Sequence, residues 1–222
     1  MWTDIRAVVS KDVRIEWRSR ATTSQVLPFA ALVLVLFGFA LDANRPVLER
    51  ATSGLFWMTV LFVANLAVQR STGIETSDGA RRALLLAGID PAAVFLGKML
   101  AVALELLVVE VFLVAGVLVL FGATVDDWLL LVLTCLLATL AVSAAGTLLG
   151  ALVAGIRARE TVLPILLLPV LAPVLISATR AFDDALGSVA VQGWAWLGLL
   201  SGFGVLNGVL GALAFGVLLE ET

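Results

Sequence analysis

Trp128–Gly155 reads WLLLVLTCLLATLAVSAAGTLLGALVAG, and no Asp, Glu, Lys, Arg or His interrupts it. A helix rises 1.5 Å per residue and the hydrocarbon core of a bilayer is about 30 Å thick, so roughly twenty apolar residues make one crossing. This run exceeds that length and allows some tilt. A helix apolar on every face has to be covered all round. Lipid must therefore be part of the solvent around the chain.

Five further runs of the same kind lie on either side: Thr23–Leu41, Ala51–Gln69, Ala92–Phe121, Val162–Ala181 and Trp194–Leu219. Composition points the same way. The 222 residues are 61% hydrophobic and 14% charged, with a mean hydropathy of +1.10. Soluble domains have roughly 45–50% apolar and about 25% charged residues. A chain of this size exposes too much surface to hide the excess in one core. The expected fold is therefore all-α, a polytopic membrane protein with six transmembrane helices. The first twenty residues hold eight charges from Asp4 to Arg20, which is not the pattern of a cleaved leader. The first apolar run is expected to remain as an anchor.

Lys and Arg set the orientation. With the N-terminus inside, eleven fall on cytoplasmic segments: Arg6, Lys11, Arg14, Arg18, Arg20, Arg70, Arg81, Arg82, Lys98, Arg157 and Arg159. Only Arg45, Arg50 and Arg180 fall outside, where Asp126–Asp127 and Asp183–Asp184 lie instead. Six spans then return the C-terminus to the cytoplasm. The net charge of -3 argues against nucleic acid as a partner.

Residues 1–22 read as an amphipathic interfacial helix, followed by a six-helix membrane domain over 23–222. Trp2, Ile5, Val8, Val9, Val13 and Trp17 recur at three- to four-residue spacing, with the charges at other angles. That pattern suits the membrane surface. The cytoplasmic segment 70–91 is the longest polar stretch between spans. Within it Ser77 or Asp78 is placed to cap a short helix over Gly79–Ala87 that carries Arg81 and Arg82 outward. Such a helix across the mouth of a bundle is suited to receiving force from a soluble motor, and Glu75, Asp78, Arg81 and Arg82 are its candidate contacts.

Pro164, Pro169 and Pro173 fall within one span, where each removes a backbone donor. The expectation is a bent or re-entrant helix whose freed carbonyls find partners in the protein, with Thr161 capping its start. Glu105, Glu110 and Asn65 lie within apolar runs. A charge at mid-membrane costs about 2.5–3.5 kcal/mol on insertion scales, so these side chains should face the bundle. Gly146-xxx-Gly150 and Gly204-xxx-Gly208 allow close helix approach. The chain has no histidine and no phosphate loop of the form GxxxxGK[ST], and its one cysteine, Cys135, sits in an apolar run. No catalytic constellation stands out, and any ATP hydrolysis belongs to a partner. The residues alone leave several functions open: the permease half of an ABC-2-type exporter of lipid, drug or polysaccharide, a membrane assembly scaffold, or an enzyme using Glu105 or Glu110.

The run from Arg159 and Glu160 through Pro164, Pro169 and Pro173 resembles the signature of the haem exporter B (CcmB) family, membrane proteins of cytochrome c maturation. The start Asp12-Val-Arg-Ile-Glu16, Glu75 and Lys98 fit the same pattern, and the resemblance covers nearly the whole chain. It implies an ABC transporter permease subunit in the bacterial inner membrane that catalyses nothing itself. It implies four partners: an ATP-binding subunit, a haem-handling membrane subunit, a small membrane subunit, and a haem chaperone E. Haem would then sit on the partners and ATP on the ATP-binding one, with no cofactor on this chain. Six spans per chain make a homodimer the natural completion.

Overall fold

The structure is a computed structural model. It describes residues 1–20, 22–41, 44–76, 90–156 and 158–221, and only the backbone of 23, 74–76 and 217–221. Helices make up most of the described chain, and no strand occurs among the described residues. Helix α1 covers Trp2–Ser19 and closes on Arg20, whose φ of 53° is left-handed. A π-helical turn, Thr22–Val26, leads into α2, Leu27–Leu41. Then come α3 (Arg45–Thr76), α4 (Pro91–Gly116, prolonged by a π turn to Phe121), α5 (Trp128–Leu152), α6 (Arg159–Ala185) and α7 (Gly193–Glu221). Six helices, α2 to α7, are long and apolar enough to cross a membrane.

Local chemistry explains where several helices begin. Asp90 accepts a hydrogen bond from the Ala92 amide at 3.0 Å, and Pro91 occupies the first helical position, where its missing N–H costs nothing. Asp127 starts α5 by accepting from the Leu130 amide at 3.0 Å. Helix α6 has no such cap. It starts at Arg159, so Thr161 lies inside the first turn and does not cap it, contrary to the sequence expectation.

Pro164, Pro169 and Pro173 lie in one continuous helix of 27 residues, long and apolar enough to cross a membrane. Pro164 leaves the Glu160 carbonyl without its helical donor. Gln69 Nε2 on α3 reaches that carbonyl at 3.5 Å. A side chain of the neighbouring α3 thus stands in for the donor that the ring removed.

Helix α5 is the centre of the bundle. Of its apolar stretch 67% is buried, against 17% for α2, and it touches α3, α4, α6 and α7. Gly146 and Gly150 let α3 come close: a Cβ on Gly146 would fall 2.6 Å from Val68 Cγ2. This small-residue pair packs helices within the chain. Near the other end of α3, Phe56 stacks on Phe182 of α6 with ring centroids 4.5 Å apart. There the backbone amides of Asp126 and Asp127 donate to the Ala185 carbonyl, and Asp184 Oδ2 accepts from the Gly193 amide at 2.9 Å. At the opposite end, Phe95 of α4 meets Phe215 of α7. Both ends of the described chain therefore lie on one side of the bundle, the α1 end.

Candidate functional site

Helix α1 packs on the first third of α4, around Gly97 and Lys98. Ile5 and Val8 are its buried apolar residues. Val8 sits over Gly97, where a Cβ would lie 2.6 Å from Val8 Cβ. One turn on, Asp12 Oδ2 lies 3.8 Å from Lys98 Nζ. Another turn brings Glu16 to Arg70 of α3. The two acids are four residues apart and so share one face of α1, the face turned to the bundle.

Arg70 is the hub. Its Nη1 is 3.5 Å from Glu16 Oε1, and its Nη2 donates to Glu105 Oε1 on α4. The Thr22 hydroxyl lies 2.7 Å from Glu16 Oε1 and 3.2 Å from Glu105 Oε1. It carries one proton and so donates to one carboxylate at a time. Lys98, buried at 4% exposure, donates to Ser71 Oγ at 3.3 Å. Asp12 and Glu16 from α1, Thr22 from the head of α2, Arg70 and Ser71 from α3, and Lys98 and Glu105 from α4 therefore form one charged seam. The charges are paired where they are withdrawn from water, as a low-dielectric setting demands.

Beside the seam Ser71, Thr72, Lys98, Thr147 and Phe215 line a cavity of about 10 Å³, room for one water molecule. The Thr147 hydroxyl is buried and has no hydrogen-bond partner among the described residues.

The candidates read from sequence divide accordingly. Glu105 stands in the seam, neutralised by Arg70. Glu110 lies deeper, 2% exposed, and accepts from the Thr139 hydroxyl of α5. Its Oε2 has no partner among the described residues. Asn65 Oδ1 accepts from Gln69 Nε2 at 3.3 Å, the same amide that serves the Glu160 carbonyl. The Arg159 guanidinium passes over Gly73, so the start of α6 meets the α1 end of α3. Asp78, Arg81 and Arg82 lie outside the described residues, as does the short helix expected over Gly79–Ala87; the Glu75 side chain does too. Sequence reasoning missed Asp12, Glu16, Arg70 and Lys98 as partners. The signal was present in the i, i+4 spacing of the two acids and in a lysine stranded among apolar residues.

Six membrane-length helices around a buried centre, with an extra helix ion-paired along one edge, define a multi-pass membrane protein. The comparisons name the family. The model of the family described as "CcmB protein" matches residues 3–221, and the chain belongs to that family. "Heme exporter protein B" of Haemophilus influenzae is 29% identical over 178 residues, 80% of each chain. The protein of that name from Rhodobacter capsulatus is 30% identical over 188 residues, 85% of this chain and 86% of its own. That from Pseudomonas aeruginosa is 26% identical over 195 residues, 87% of each.

Proposed function

We propose that this chain is the permease subunit of an ABC-type haem exporter complex serving cytochrome c maturation in the bacterial inner membrane. In this reading a separate ATPase drives it. It works as a homodimer with a haem-handling membrane subunit, a small membrane subunit, and the haem chaperone E. The α1 end faces the cytoplasm, where the Lys and Arg residues gather. Family membership and the names of the relatives support the reading.

The observation that carries the mechanism is the charged seam. Segment 70–91 joins the α1 end of α3 to the start of α4, and these are the two helices to which α1 is ion-paired. A push on Glu75, Asp78, Arg81 or Arg82 by a closing pair of ATPases would be delivered to α3 and α4 together. Arg70 and Lys98 would carry it to α1, and Gln69 would carry it to α6 through the Glu160 carbonyl. The chain relays work and supplies no ligand for haem in this scheme.

Charge reversal tests it. Arg81→Glu with Arg82→Glu should abolish most co-purification of the ATPase and lower the yield of mature cytochrome c. Unchanged association together with unchanged yield would overturn the coupling role.

A further inference from the structure

The carboxylates of α1 are all matched by cations. Asp4 lies 2.9 Å from the Met1 amino group, Asp12 lies 3.1 Å from Lys11 and 3.8 Å from Lys98, and Glu16 lies 3.5 Å from Arg70. Three arginines of the same helix are not matched. Arg6, Arg14 and Arg18 are exposed, and among the described residues no carboxylate comes within ion-pair distance of them.

At 3.6 residues per turn these three fall within about 120° of arc, opposite Ile5, Val8, Asp12 and Glu16. Trp17 lies in the same arc at 84% exposure, and Trp2, 73% exposed, lies about 40° beyond it. The helix has sorted its charges: Asp12 and Glu16 inward to the seam, guanidinium groups outward beside bare indole rings. On an aqueous surface an indole that exposed is unfavourable. At a bilayer surface it sits at headgroup depth with the apolar ring sunk and the N–H wet.

We propose that this arginine–tryptophan face binds the headgroups of anionic phospholipids in the leaflet next to α1. Guanidinium forks match the phosphodiester oxygens, and a polar helix face rich in Arg with Trp beside it is the form that surface-lying helices take. With Asp12 and Glu16 turned to Lys98 and Arg70, no acid within this arc repels the lipid. The outward positive charge thus depends on the inward seam, and the two faces fix α1 between bundle and membrane.

The test uses the purified full chain in phosphatidylcholine vesicles carrying trace spin-labelled phosphatidylglycerol or, separately, spin-labelled phosphatidylcholine. The wild type should hold phosphatidylglycerol the more tightly at low salt, with the preference collapsing at high ionic strength. Each of Arg6→Gln, Arg14→Gln and Arg18→Gln should weaken the preference by about fivefold at most, the scale of one basic residue near an anionic surface. The triple Gln variant should treat the two lipids alike, and the triple Lys variant should keep most of the preference because the charge remains. Equal retention of both lipids by the wild type would overturn the proposal, as would an undiminished preference in the triple Gln variant. A triple Gln variant that loses the ATPase while its lipid preference stands would mark the face as a protein dock and overturn it equally.

Discussion

Arg70 of α3 and Glu105 of α4 close an ion pair at the point where α1 reaches the bundle, with Glu16 drawn to the same guanidinium. The Glu105 side chain is 9% exposed and that of Arg70 26%. A cation shared by two acids under partial burial makes the arginine the member whose loss matters most.

Arg70→Gln strands both Glu16 and Glu105. The expected loss of stability is about 1–3 kcal/mol, between that of an exposed pair and that of a fully buried one. Adding Glu105→Gln should restore part of it, since one stranded charge is gone and two amides can hydrogen-bond. Thermal unfolding in detergent of the wild type, both single variants and the double variant measures the coupling. Strictly additive losses would show that the pair does not act as one.

The Gln69–Glu160 contact predicts a conditional effect. In the wild type, Gln69→Ala removes the donor to a carbonyl that Pro164 has orphaned, at a cost of about 1 kcal/mol. With Pro164→Ala in place, the helix provides its own N–H, and the same Gln69→Ala should cost close to nothing. Equal losses in the two backgrounds would show that the side-chain amide does not substitute for the missing donor.

Glu110 and Thr139 make a third comparison. Thr139→Val removes the hydroxyl that donates to Glu110, leaving a buried carboxyl group without that partner, and should cost about 1–3 kcal/mol. Glu110→Gln keeps an acceptor for the same hydroxyl and should cost distinctly less. If tryptophan fluorescence in detergent shows the Gln variant to be the less stable, something other than this hydrogen bond holds α4 to α5.

The spans were legible because lipid imposes a crude rule. The apolar run Trp128–Gly155 appears as helix Trp128–Leu152. The rule counts apolar residues and is indifferent to their neighbours. Three prolines in one segment read as a bent or re-entrant helix. The helix persists, and at Pro164 the compensating donor comes from Gln69, 91 positions from Glu160 along the chain. Glu105 was conspicuous as a charge in an apolar run, but its partner Arg70 lies 35 residues away on another helix. Periodicity reports which face of a helix a residue occupies. It does not report which helix that face will meet.

Val8 fills the hollow that Gly97 leaves in α4. A tooth seated in such a notch opposes sliding, because an axial slip would press a side chain against backbone. Tipping about the notch as a fulcrum would meet less resistance. Tipping would swing Glu16 and the Trp2 end of the helix in opposite directions. A small displacement near Arg70 would then be felt, reversed, at the far tip of the N-terminal arm.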